Sequence, residues 1–235
     1  MKRPAWLSLA SLREVGPIAV LGVIAFGLWG FASIADEVAE NETHAFDHAV
    51  LTWLRLPDNP ATPIGPDWLL NSMIDITALG SYTVLTLLTL GAAIYRIVLK
   101  DYVTAGIVVA AVGSGALLTS LLKWGFDRAR PDLVDHLTHA ASSSFPSGHA
   151  TQAAIAFLTL GALMARAQPD RRIKAFVLGG AILLTLLVGI SRVYLGVHWP
   201  TDVLAGWCLG AAWAAMWWLV LRRIGAPQVT TSGTG

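Results

Sequence analysis

The chain has 235 residues, 55% of them hydrophobic and only 13% charged, with a mean hydropathy of +0.61 and a formal net charge of +1. An ordinary soluble domain carries about 25% charged residues, so this composition argues against a water-soluble monomer and excludes a disordered chain, a coiled coil and a collagen-like fibre. A single cysteine, Cys208, excludes an intramolecular disulfide framework and a cysteine-based zinc site, and the near-zero charge gives no net pull towards nucleic acid.

A membrane helix needs about 20 mostly apolar residues. The first such stretch is Val15–Ala35. Its end, Ser33-Ile34-Ala35, has the small residues of a signal-peptidase site. The apolar run is longer than the ~7–15 residues of a signal-peptide core and contains Trp29, so it reads as an uncleaved span. The segment Asp36–Thr77 is too polar to span. Its half-apolar stretches Ala45–Leu56 and Trp68–Ile76 read as helices lying at the interface or capping the bundle. Trp53 and Trp68 suit the headgroup level, as does Trp199 further on. Asn41-Glu42-Thr43 is a glycosylation sequon by pattern alone.

Further spans follow at Leu79–Leu99, Tyr102–Leu122, Ala150–Ala165, Ile173–Ile190 and Val203–Leu221. In the last, Gly206 and Gly210 have the spacing of close helix packing. The tail Gly225–Gly235 reads as disordered. Spanning segments must satisfy their own backbone, so helices are expected and short alternating strands are not. The expected fold is all-α: one domain over residues 1–235, a bundle of six transmembrane helices with short interfacial helices on the outer face.

Charge placement sets the orientation. With the N-terminus in the cytoplasm, eleven of the sixteen Lys and Arg residues fall inside and five outside, namely Arg55, Lys123, Arg128, Arg130 and Arg192. That split puts both termini in the cytoplasm. The loops Lys123–His149 and Ser191–Asp202 then share the outer face, on the reading of a bacterial plasma membrane.

Three polar clusters sit on those loops, where a membrane protein should minimise polarity. The first, Lys123 to Pro131, offers a compact ammonium and the planar fork of Arg130, suited to phosphate oxygens, although interfacial snorkelling explains such cations equally well in isolation. The second, Phe145 to His149, is a turn with Ser147 as a natural N-cap; the helix start offers unpaired N–H groups to an anion and Gly148 allows close backbone approach. Its His149 has the chemistry to give a proton to a leaving group. In the third, Ser191 to Asp202, Pro200 suits the first position of the last span, and Asp202 lies four residues beyond His198. A carboxylate on one imidazole nitrogen fixes the tautomer and leaves the other free to attack. Arg192 adds a third cation. Together these groups supply a nucleophile, an acid and an electrostatic clamp, which is the inventory for phosphoryl transfer without a metal.

The clusters resemble the three signature motifs of the type 2 phosphatidic acid phosphatase superfamily, K-x6-R-P, P-S-G-H and S-R-x5-H-x3-D, all present in order between Lys123 and Asp202. The resemblance implies that His198 attacks phosphorus, Asp202 orients it, and His149 protonates the departing oxygen and then assists water. It implies that Lys123, Arg130 and Arg192 hold the phosphoryl oxygens with Ser147 and the Gly148 amide, while Pro131 and Pro146 shape loops. Arg128 lies outside the motifs and is given a positioning or headgroup role; His136, His139 and Ser142–Ser144 lie between motifs and read as a plain loop, with lining of the entrance as the alternative. The expected substrate is a membrane lipid phosphate or diphosphate of the undecaprenyl diphosphate, phosphatidylglycerophosphate or phosphatidic acid class. No cofactor, metal or nucleic acid is expected, and the outer carboxylates form no obvious divalent-metal cluster. A phosphotransferase would use the same pocket. A haloperoxidase belongs with larger soluble relatives, and a non-catalytic lipid transporter should have degraded motifs.

Overall fold

The computed structural model describes residues 9–132, 134, 136–138 and 142–224, with side chains described from residue 16 onward. The expectations for His139 and for the tail 225–235 lie outside the described residues. Eight helices and one small hairpin follow in order: α1 Leu9–Ala39, α2 His44–Trp53, β1 Arg55–Leu56, β2 Asn59–Pro63, α3 Asp67–Leu79, α4 Tyr82–Val98, α5 Tyr102–Phe126, α6 Gly148–Ala167, α7 Arg171–Tyr194 and α8 Pro200–Ile224. Among the described residues five helices are long and apolar enough to cross a membrane, and six spans result if α3 and α4 count as one bent unit. Leu87, Leu117 and Phe176 are largely exposed on the helix flanks, as a bilayer solvent allows and water does not.

The helix ends follow local chemistry. Asp101 Oδ1 accepts from Thr104 N–H at 3.1 Å to start α5, and Asp170 Oδ1 accepts from Arg172 N–H at 2.7 Å to start α7. Pro200 opens α8 in the place expected for it. The second span departs from the uninterrupted Leu79–Leu99 of the sequence reading. Ser81 caps a fresh helix by accepting from Val84 N–H at 3.2 Å, and the axis bends by 49° between α3 and α4. At this elbow Gly80 lies so close to α7 that a Cβ there would stand 2.4 Å from Val188 Cγ1.

Helix α6 is the centre of the bundle, packed against α5, α7 and α8. Its small residues Ala150, Ala153, Ala154 and Ala156 are fully buried and let the neighbouring backbones close in. Gly206 and Gly210 serve the same contact from α8: a Cβ at Gly210 would meet Ala154 Cβ at 2.5 Å and Thr151 O at 2.7 Å. Their spacing is therefore used within the chain.

The segment between α1 and α4 caps one end of the bundle. The two helices expected there are α2 and α3. The hairpin between them was not expected; β1 and β2 pair antiparallel, Arg55 opposite Pro63. Leu51 of α2 is fully buried against Ala150, Val193, Trp199 and Val203, a burial that contributes about 1.5–3 kcal/mol. Tyr194 ties the hairpin region down by donating from its hydroxyl to Ile64 O at 2.7 Å. Trp53 and Trp68 are exposed, as the headgroup reading requires. Trp199 is not: it is buried, donates from Nε1 to Ala129 O at 3.0 Å and stacks on His48 with centroids 5.2 Å apart. Its indole N–H is satisfied within the protein rather than at the headgroups.

Candidate active site

The three polar clusters converge beneath this cap. Lys123 stands in the last turn of α5, which ends at Asp127 in the left-handed conformation (φ 41°). The chain then crosses to Phe145, fully buried between Phe31 and Phe126, and enters α6 at Gly148. Arg192 stands in the last turn of α7. Gly196, at φ 74°, makes the reversal that turns His198 back towards the bundle before α8 begins. A cavity of about 830 Å³ results. Of the eight residues expected at the site, Lys123, Arg130, Gly148, His149, Arg192 and His198 line it. Asp202 and Ser147 are fully buried behind that wall.

His198 is held from both sides. Its Nδ1 is 3.3 Å from Asp202 Oδ2 and its Nε2 is 3.2 Å from Arg130 Nη1. A guanidinium only donates and a carboxylate only accepts. The network therefore assigns the proton to Nδ1 and the lone pair to Nε2, on the cavity side. Burial holds the His198 imidazolium well below its usual range; the Asp202 hydrogen bond opposes this, and Arg130 and Arg192 reinforce it. Burial likewise lowers Arg130, against the pull of Asp202.

Asp202 is saturated with donors. Oδ2 also accepts from Trp199 N–H at 2.9 Å and from Ser144 Oγ, while Oδ1 accepts from Arg128 Nη1 at 2.7 Å. Its main-chain carbonyl accepts from Ser147 N–H at 3.0 Å, which ties the second cluster to the third. Arg128, which lies outside the motifs, thus meets the Asp202 carboxylate directly.

The cations are fixed by backbone and hydroxyl oxygens. Lys123 Nζ donates to Ser143 O, Arg130 Nε to Ser142 O at 2.7 Å, and Arg192 Nη1 to Thr77 Oγ1 at 3.0 Å. Ser147 sits at the N-cap position of α6, as expected, but its hydroxyl makes no capping bond. Ser147 Oγ and Arg192 Nε are both buried without a partner among the described residues. Such atoms are destabilising by about 1–3 kcal/mol each unless an additional group meets them. The N–H groups at the start of α6 and the three cations on the cavity wall offer donors to an oxyanion. Gly148 keeps the wall open there: a Cβ would stand 3.2 Å from the Tyr82 hydroxyl and 3.4 Å from Lys123 Cε. His149 lines the same cavity, its ring without a hydrogen-bond partner among the described residues.

Sequence reasoning missed several members. Tyr82, Ser120, Trp124 and Asp127 also line the cavity; Ser142 and Ser143, for which the sequence offers lining of the entrance as the alternative, line it too. Ser144 touches Asp202 rather than lining the wall, and His136 turns away to Pro131 O at 2.7 Å. Among the described residues no group of three His, Cys, Asp or Glu side chains converges as metal ligands.

Known proteins resemble this chain in sequence and in fold. The model of the PAP2 superfamily matches residues 104–225. Phosphatidylglycerophosphatase B of Bacillus subtilis (strain 168) is 32% identical over 185 residues, 77% of this chain and 85% of that protein. Lipid A 1-phosphatase of Rhizobium johnstonii is 35% identical over 118 residues, 46% of this chain and 44% of that protein. The crystal structure of a transmembrane PAP2-type phosphatidylglycerolphosphate phosphatase from Bacillus subtilis superposes with a TM-score of 0.71 at 29% identity, covering 88% of this chain and 96% of that one.

Proposed function

The chain belongs to the PAP2 superfamily and is a multi-pass membrane protein, and from that premise we propose that it is a lipid phosphate phosphatase working through a phosphohistidine on His198. The observation that carries this reading is the fixed tautomer of His198, its Nε2 lone pair turned into a cavity ringed by three cations. The phosphoryl oxygens lie among Lys123, Arg130, Arg192 and the Gly148 amide. Arg130 leaves Nε2 to take an oxygen as the substrate seats. Nε2 attacks phosphorus, and the bond to the leaving oxygen breaks. The electron pair goes to that oxygen, which takes its proton from His149. The imidazolium-like charge developing on His198 is stabilised through Nδ1–H by Asp202. His149, now neutral, takes a proton from water; the hydroxide forms the new P–O bond, the P–N bond breaks, and inorganic phosphate leaves.

We assign the site to the outer face of a bacterial plasma membrane, with both termini cytoplasmic. The eleven-to-five division of Lys and Arg supports this, four of the five outer cations being those of the two site loops. The substrate class is a phosphate monoester or diphosphate on a membrane lipid, its headgroup reaching the cavity from the outer leaflet.

The test is phosphate release by purified protein in detergent with EDTA present, over undecaprenyl diphosphate, phosphatidylglycerophosphate, phosphatidic acid and diacylglycerol diphosphate. Release from at least one of them, undiminished by EDTA and competed by vanadate, is the expected outcome. Complete loss with EDTA, restored by a divalent ion, contradicts the reading.

The pH dependence follows from the burial of His198. Its imidazolium is disfavoured in the folded protein, so the neutral nucleophile persists below the usual imidazole pKa of about 6.5. The acid limb of kcat/KM that reports His198 is therefore expected below that pH. Removing a nearby cation with Arg130→Gln should move the limb upward. A limb near 6.5 that Arg130→Gln leaves in place would contradict this electrostatic account.

A further inference from the structure

The proposed mechanism uses Asp202 and leaves a second fully buried carboxylate, Asp47 of α2, without a role. Asp47 Oδ1 accepts from Thr201 N–H at 3.0 Å, and Oδ2 accepts from Thr201 Oγ1 at 2.7 Å and from Arg128 Nη2 at 2.8 Å. Arg128 bridges onward, with Nη1 donating to Asp202 Oδ1 at 2.7 Å. We propose that Asp47 and Arg128 are positioning residues of the reaction, holding the Asp202 carboxylate and through it the Nδ1–H tautomer and ring direction of His198. This rests on the reading of His198 as nucleophile.

Two physical arguments support the assignment. The first is geometric. Oδ2 of Asp202 is shared by Ser144, Trp199 N–H and His198, whereas Oδ1 is met by Arg128. The planar fork of Arg128 therefore sets the rotation of the carboxylate. Asp47 fixes that fork and also clasps Thr201, the residue before Asp202, at the open N-terminus of α8. The second is electrostatic. A lone guanidinium on Asp202 would neutralise it and weaken its hold on Nδ1–H. Shared between two buried carboxylates, Arg128 leaves the group with a net negative charge facing His198. The Thr43 hydroxyl, which makes no capping bond to α2, instead accepts from Arg128 Nη2 at 2.9 Å and completes the fork.

The test uses the full-length protein in detergent with dioctanoyl phosphatidic acid as the probe. Asp47→Asn is expected to lower kcat about 10–100-fold with KM changed less than about threefold, since the cations that hold phosphate are untouched. Arg128→Ala should lose more, and Arg128→Lys should recover part of it. The decisive comparison is the background: in Asp202→Asn protein, the added Asp47→Asn should cost less than about twofold, because its effect runs through Asp202. Should either single variant fail to fold, Asp47→Asn/Arg128→Met removes both buried charges together and is scored against the same Asp202→Asn background. Unchanged kcat in folded Asp47→Asn, or an equal fold-loss with and without Asp202, overturns the proposal. Retained turnover in His198→Ala would instead overturn the nucleophile reading on which it rests, so the two failures are distinguishable.

Discussion

His198→Ala is expected to reduce phosphate release by about 10⁴–10⁶-fold while leaving KM within a few-fold of the parent. The size follows from what surrounds the lost lone pair. The other basic groups on the cavity wall are Lys123, Arg130 and Arg192, which are donors, and His149, which serves the leaving oxygen. In the first step His149 is protonated to serve the leaving oxygen, so water attacking in place of Nε2 would find no neutral imidazole beside it to take its proton. Binding should persist because the cradle of cations and helix N–H groups remains. Steady-state phosphate release on the preferred lipid of the panel measures both quantities.

The second large effect is selective. His149→Ala is expected to slow turnover of alkyl phosphates by about 10²–10⁴-fold, the usual contribution of a positioned acid and base. An aryl phosphate, whose leaving oxygen is stable without a proton, should recover most of the first step. The second step still lacks its base, so the phosphoenzyme should accumulate and phosphate should be released slowly after a burst of phenol. Absence of the phenol burst, with the first step slowed as much on aryl as on alkyl substrates, would remove His149 from the leaving-group role.

How far the sequence could be read depends on whether the information was local. The apolar stretches of the spans and the Pro200 start are local signals, and the helices form where they point, the bend in the second span apart. The meeting of Lys123, His149, Arg192 and His198 was legible because three fixed spacings had to share one side of the bundle. Asp47 was not legible. It lies in a polar segment whose half-apolar rhythm announces a helix, and nothing at that distance from Thr201 signals that the helix inserts a carboxylate beneath α8. Ser144 lay in a noticed run of serines, but only the folded loop brings its hydroxyl to Asp202.

Two expectations failed for the same reason, tertiary packing overriding a local preference. Trp199 has the composition of a headgroup anchor and is instead packed under α2, with His48 on its face and Ala129 O on its N–H. Ser147 has the chemistry of an N-cap, yet its hydroxyl is kept away from the α6 amides and remains unpaired. A site residue that forgoes a local hydrogen bond is a better pointer to ligand chemistry than one that makes it, because the unmet bond must be compensated elsewhere. The bend at Gly80–Ser81 belongs to the same class: hydropathy runs through it, while the Ser81 cap and the press of Val188 divide the helix.

The central claim is the covalent one, and trapping the phosphoenzyme tests it most directly. His149→Ala protein would be mixed with a radiolabelled aryl phosphate, quenched in alkali and digested for mass analysis, because a phosphohistidine survives alkali and is lost in acid. The account predicts a near-stoichiometric alkali-stable label on the peptide carrying His198, absent from His198→Ala protein. A burst of phenol with no label on His198, or a label mapped to another residue, would contradict it.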